Sequence, residues 1–276
     1  MQMPAKKITF IGAGNMAGAI FKGLLAKGYP ADAITATARE ADHLQKLKHS
    51  LQIHVTSDNQ EAVTDAEVIV LAVKPQVMQS VCREIATQVS RSRPLIISVA
   101  AGLQAETLNN WLGGGHAVIR CMPNTPSLVG AGASGLYALP NVQAEQRDFA
   151  DQLLSGVGLV EWVEQESLLD VVTAISGSGP AYFFMIFEMM EKAAVELGMP
   201  ADAARRLILQ TGLGAVRMAQ ETGEEPAQLK RNVMSPKGTT ERAIHTFEEA
   251  GMEAIFLKAM QACADRADEL AKELAS

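Results

Sequence analysis

The chain has 276 residues, 48% apolar and 20% charged, with a formal net charge of −7. That length suits two globular domains, and the acidic balance argues against nucleic acid or an anionic membrane surface as a main partner. Cys82, Cys121 and Cys263 form no CxxC pair, the five histidines lack metal-ligand spacing, and no signal-type or bilayer-spanning run is read, so a cytoplasmic, metal-free protein is expected.

Strand and helix alternate through the first part. Residues 7–11 read as a strand, 16–27 as a helix, 33–37 as a strand, 40–48 as a charged helix and 52–55 as a weak strand. Residues 67–73 are continuously apolar, the mark of a strand buried on both faces. A helix follows at 76–88, then strands at 95–99 and 117–120, and strands at 134–139 and 159–163 around a helix at 143–154. Such β–α alternation implies a doubly wound, mostly parallel sheet covered on both faces. Beyond residue 164 the pattern is helical: 168–175, 181–197, 201–221, 227–233, 240–250 and 252–274. Two domains are expected, 1–164 and 165–276. The helix 181–197 carries Tyr182, Phe183, Phe184, Met185, Ile186, Phe187, Met189 and Met190. A small helical domain cannot hide that surface alone, which points to a homodimer, or else to a helix central to one subunit.

The run Gly12-Ala13-Gly14-Asn15-Met16-Ala17 sits between the first strand and the first helix. This is the dinucleotide-binding pattern of a Rossmann-type domain. Gly12 makes the turn, Gly14 lets backbone approach a pyrophosphate, and Ala17 permits close helix–strand packing. The second strand ends Thr35-Ala36-Thr37-Ala38-Arg39, with no carboxylate before Glu40. NAD enzymes place an acid there to hold the ribose, whereas a guanidinium welcomes a 2′-phosphate. NADPH is therefore preferred, with NADH as the second candidate. A plainer role for Arg39 is a solvated pair with Glu40 or Asp42. Val73-Lys74-Pro75 ends the fourth strand, where ligands sit in this architecture, and Lys74 is placed to approach a phosphate or ribose. The small residues Ser98-Val99-Ala100-Ala101-Gly102 end the fifth strand and leave room for a nicotinamide ring.

Two polar turns interrupt the helical part. Ser176-Gly177-Ser178-Gly179-Pro180 reads as a turn ahead of a helix that begins with proline. Asn232-Val233-Met234-Ser235-Pro236-Lys237-Gly238-Thr239-Thr240-Glu241 stops one helix and starts another. It aims backbone N–H groups and hydroxyls at one point at the positive end of a helix, which suits a small carboxylate. Either threonine could instead serve as the N-cap. Glu241 reads as a first-turn acid favoured by the helix dipole.

With these motifs in order, the chain resembles the pyrroline-5-carboxylate reductase family over essentially its whole length. The resemblance rests on residues 10–17, 73–76, Arg120-Cys121-Met122-Pro123-Asn124-Thr125-Pro126, 176–182 and, most specifically, 233–240. Lys237 departs from it, since the family usually has glycine or another small residue there. The resemblance implies that Gly12, Gly14, Asn15 and Met16 line the pyrophosphate. It places Asn59 near the adenosine and Val73, Lys74 and Pro75 beside the ribose and nicotinamide. Ser235, Gly238, Thr239 and Thr240 surround the substrate, 1-pyrroline-5-carboxylate. It further implies a helical C-terminal domain that interlocks into dimers, which some members assemble into decamers. In that reading Thr240 Oγ hydrogen-bonds the ring nitrogen, and positioning does most of the catalytic task. A 3-hydroxyacid dehydrogenase would offer a lysine soon after its glycine turn, but the first here is Lys192. A non-catalytic NADPH sensor would leave the turn at 235–240 without a task.

Overall fold

The computed structural model describes residues 5–275. Its strands and helices run β1 (Ile8–Ile11), α1 (Asn15–Ala26), β2 (Ile34–Thr37), α2 (Ala41–Leu51), β3 (His54–Thr56), α3 (Asn59–Ala62), β4 (Val68–Leu71), α4 (Pro75–Ser92), β5 (Leu95–Ser98), α5 (Ala105–Trp111), β6 (Val118–Met122), β7 (Gly132–Ala138), α6 (Ala144–Leu154) and β8 (Gly158–Trp162). Helices follow: α7 (Leu168–Val172), α8 (Gly179–Glu196), α9 (Ala201–Thr222), α10 (Pro226–Asn232), α11 (Thr239–Glu249) and α12 (Met252–Ala275). Every predicted element is present. The short helices α3 and α5 were not expected, because four and seven residues are too few to show a helical period.

The strands form one sheet in the order β3-β2-β1-β4-β5-β6-β7-β8. All neighbours are parallel except β6 and β7. The central strands bury both faces, and alternate residues feed separate cores. Ile8, Phe10, Val68, Val70, Leu95 and Ile97 pack with Ile20, Phe21 and Leu24 of α1 and with Phe149 and Leu153 of α6. Ile11, Ile69, Leu71 and Ile96 pack with Met78, Cys82, Ile85 and Val89 of α4. The chain leaves β1 in one direction and resumes at β4 on the other side. The switch point between these strands is where such sheets bind ligands.

The chain divides into two compact units, one running up to Ser178 and including the residues from Ala262 onward, the other Gly179–Gln261. The compact units divide at 178/179 because α7 is fastened to the sheet. Leu169 is buried, Val172 sits where a Cβ on Gly135 would be, and Glu166 pairs with the buried Arg120 at 2.8 Å. The end of α12 joins the first unit through buried Ala267 and Ala271 and through Leu274, which lies against Gly102.

The Ser176–Pro180 segment is not the open turn that its glycines and serines predict. Residues 173–177 wind as a π-helical turn between α7 and α8. Pro180 has no N–H to offer the Ser176 carbonyl four residues back. Asn124 Nδ2 donates to that carbonyl instead, at 3.0 Å, and Ser178 N–H reaches the Thr173 carbonyl at 2.8 Å. Residues 168–196 thus form one helical run, long and apolar enough by length and composition to cross a membrane. In the sequence the glycines and proline at 176–180 conceal this run.

Candidate cofactor and substrate sites

A cavity of about 710 Å³ opens at the C-terminal ends of β1, β2 and β4. Gly12, Gly14, Asn15, Arg39, Asn59, Val73 and Lys74 all line it. The glycines differ in what requires them. Gly12 has φ +97, and a Cβ there would lie 2.8 Å from the Ala72 carbonyl oxygen. The fold itself demands that glycine. Gly14 is extended at φ −74 and ψ −171, and a Cβ there would meet nothing within 4 Å. Its missing side chain instead leaves room at the head of α1, where free N–H groups and the helix dipole favour a phosphate. The donors and the open cradle fit the pyrophosphate of a dinucleotide.

Polar side chains brace this loop. Gly12 N–H donates to Thr37 Oγ1 at 3.2 Å, and the Thr37 hydroxyl donates to Asn59 Oδ1 at 2.8 Å. Asn59 Nδ2 donates to Glu84 at 3.2 Å. Asn59 is thereby held by β2 and α4 together. Arg39 lies just past the tip of β2, exposed, and makes no ion pair among the described residues. The expected alternative, a pair with Glu40 or Asp42, does not form. Lys74 caps α4, with Pro75 as its first residue. Met16, Pro75 and Ala100 do not line the cavity. Met16 packs against the core under α1. Ala100 is buried in the opposite core, its N–H donating to Ser98 Oγ at 3.3 Å.

In the second unit, α10 ends at Asn232 and α11 begins at Thr239. Gly238 N–H donates to the Ser235 carbonyl at 2.8 Å. Pro236 and Lys237, at φ +59, make the central pair of a type II turn. Lysine in that conformation costs about 1 kcal/mol relative to glycine, yet the turn keeps its hydrogen bond. Gly238 is the N-cap of α11, extended, with no side-chain cap. Neither threonine has the capping role that sequence allowed. Thr239 and Thr240 are the first helical residues, and their hydroxyls are not used as the cap. A Cβ on Gly238 would fall 2.8 Å from the Ser235 carbonyl oxygen, so the turn closes only with glycine. Glu241 accepts from Lys237 N–H at 2.7 Å, locking the turn in a way that the dipole reading did not anticipate. Ser235, Gly238, Thr239 and Thr240 are thus gathered at the head of one helix.

Two family models match the chain. "Pyrroline-5-carboxylate reductase dimerisation" covers residues 166–270, and "NADP oxidoreductase coenzyme F420-dependent" covers 7–102. The pyrroline-5-carboxylate reductase of Pseudomonas aeruginosa is 48% identical over 272 residues, 99% of each chain. The chain belongs to the pyrroline-5-carboxylate reductase family. The solved structure of the Coxiella burnetii family member is 44% identical, with a TM-score of 0.93 over 96% of this chain and 98% of that one. The Plasmodium falciparum reductase, solved with NADP bound, is 28% identical, with a TM-score of 0.85 over 98% of this chain and 100% of that one.

The reductase-type motif at 120–126 proves to be structural support. Arg120 is buried and donates to Glu166, whose same oxygen accepts from Ala105 N–H at 2.6 Å. Asn124 accepts from Ala133 N–H through Oδ1 at 2.8 Å while its amide holds Ser176. Burial pushes the Cys82 and Cys121 thiols up to about 12, which leaves neither as a thiolate nucleophile. Glu84 and His43 beside the glycine loop, and the brace that the strand-tip Thr37 makes with Gly12, carry no signal in the sequence. Their local patterns are ordinary, and only chain crossing brings them to it.

Proposed function

We propose that this chain reduces 1-pyrroline-5-carboxylate to L-proline, the last step of proline biosynthesis, with NADPH as the preferred reductant and NADH as the second. Full-length kinship to the reductases supports this reading. The single structural observation that carries it is the turn from Ser235 to Thr240, whose threonine hydroxyls are free of the capping task at the head of α11. NADPH, when bound, supplies the hydride for the imine carbon.

The chain's own residues bind and orient. Backbone N–H groups at Gly14, Asn15 and Met16 receive the pyrophosphate, with Gly12 shaping the turn. Arg39 takes the 2′-phosphate. Asn59 stands at the adenosine end, and Val73, Lys74, Pro75 and Ala100 bound the ribose and nicotinamide side, Pro75 and Ala100 through the backbone they set. In the second unit, N–H groups of the turn and the first turn of α11 hold the substrate carboxylate, with Ser235, Gly238 and Thr239 around it. Thr240 Oγ meets the ring nitrogen. The imine protonated from solvent is far more electrophilic than the neutral one, and Thr240 Oγ favours that form by accepting from its N–H; hydride transfer then leaves the neutral ring amine.

Residues 165–276 serve as the substrate-binding and dimerisation region of a homodimer, some assemblies building further to a decamer. Phe183, Phe184, Met185 and Met189 on α8, and Leu209, Leu213 and Val216 on α9, are exposed in the single chain. A second copy of the same surface would cover them, which also accounts for the apolar run at 168–196 without a bilayer. The three free thiols fit the cytoplasm.

The test is loss of reduced-nicotinamide absorbance with the purified chain and pyrroline-5-carboxylate, NADPH and NADH in parallel. Imine-dependent oxidation, faster with NADPH, is expected. Tight NADPH binding with no turnover would overturn the reductase reading.

A further inference from the structure

The glycine loop is gripped from outside by the segment that follows it in the chain. Thr37 takes the Gly12 N–H at 3.2 Å. In the first turn of α2, the ring of His43 reaches the Ala13 carbonyl at 2.8 Å. A carbonyl only accepts, so His43 carries a proton on Nε2 and donates it. His43 is half-buried and shares the cavity wall with Gly14 and Arg39.

The Ala13 carbonyl and the Gly14 N–H belong to one peptide plane and point in opposite directions. Whatever fixes the carbonyl aims the N–H. Gly14 has no side chain to steer that peptide, and glycine backbone rotates freely. Among the described residues the Gly14 N–H has no hydrogen-bond partner of its own. The orientation of the one loop donor whose glycine is there for a ligand is therefore set by His43.

We propose that His43 is a positioning residue for the cofactor: its Nε2–H holds the Ala13–Gly14 peptide so that the Gly14 N–H faces the pyrophosphate. This rests on the cofactor reading above. The pyrophosphate is common to NADPH and NADH, so the effect of His43 is the same for both. That separates it from Arg39, which answers only to the 2′-phosphate.

The experiment is fluorescence titration of NADPH and of NADH against the wild-type chain, His43→Leu and His43→Gln, with steady-state kinetics alongside. Leucine keeps the bulk and removes the donor. Glutamine offers an amide N–H at similar reach. His43→Leu is expected to weaken both cofactors by about fivefold, the factor carried by one ordinary hydrogen bond. The cofactor KM should rise with it while kcat holds, and His43→Gln should recover most of the loss. Unchanged binding in His43→Leu overturns the proposal. So does equal weakening in the leucine and glutamine variants, which would assign His43 to packing, or weakening of NADPH alone, which would assign it to the 2′-phosphate. A wild-type chain that binds neither cofactor overturns the cofactor reading itself, and this proposal with it.

Discussion

Gly12→Ala and Gly14→Ala differ by one methyl group two residues apart, yet they should fail in different ways. At Gly12 the methyl meets the Ala72 carbonyl oxygen at 2.8 Å and its carbon at 2.9 Å, and the backbone sits at φ +97. Left-handed backbone costs an L-residue about 1–2 kcal/mol, and overpacking against immobile backbone adds about 1–3 kcal/mol. The sum, about 2–5 kcal/mol, lowers Tm by roughly 4–20 °C for a unit of this size. At Gly14 the new methyl meets nothing within 4 Å and φ is an ordinary −74. Stability should hold or rise by about 0.4–1 kcal/mol through the stiffer unfolded chain. The same methyl now occupies the space assigned to the pyrophosphate, a clash of about 1–3 kcal/mol, or roughly 5–150-fold in Kd. Thermal melts and NADPH titrations of both variants read the two effects separately. Wild-type NADPH affinity in Gly14→Ala would refute the argument, because the open space at that glycine would then have no ligand to explain it.

Thr240→Ala should lower kcat by about one to two orders of magnitude, roughly 1.4–2.7 kcal/mol, with Tm little changed because the hydroxyl is not the helix cap; unaltered kinetics would remove Thr240 from the chemistry. Arg39→Ala should raise KM for NADPH more than for NADH, and an equal rise in both would end the 2′-phosphate assignment. Glu166→Ala leaves the Arg120 guanidinium buried without its closest carboxylate and should cost about 3 kcal/mol in denaturant unfolding; a loss below about 0.5 kcal/mol would show the pair to be idle. Asp170 has its carboxyl pKa raised by burial, opposed by Arg120 and reinforced by Asp268 and Glu166. An acid with a raised folded pKa binds more protons folded than unfolded, so its penalty is absent below the unfolded value and grows as pH rises through the folded one. Asp170→Asn should therefore be more stable than wild type at neutral pH, and the gain should shrink on acidification toward the ordinary aspartate pKa near 3.8. A gain that persists unchanged at low pH would contradict this.

Strand and helix order was legible because it rests on local signals. Val68–Leu71 is a strand buried on both faces by composition alone, and Gly12-Ala13-Gly14 between strand and helix has few other uses. The 235–240 turn was equally visible in Pro236, Gly238 and Glu241, although its cap was not, since Gly238 rather than a threonine adopts the extended backbone. Other features depend on partners far away in the chain. Residues 173–177 wind as a π-helical turn that runs on toward α8, and Asn124, 52 residues before Ser176, takes the carbonyl that Pro180 cannot serve. The first compact unit takes in α7 because Arg120 and Glu166, 46 residues apart, meet. Thr37, His43, Asn59 and Glu84 surround the glycine loop only because the parallel crossovers bring β2, α2, α3 and α4 to the same end of the sheet. Sequence by itself determined the kinds of elements and the motifs at their ends, since propensity, period and capping act over a few residues. Tertiary structure decided which side chains brace those motifs, because hydrogen bonds across the sheet leave no periodic trace in the chain.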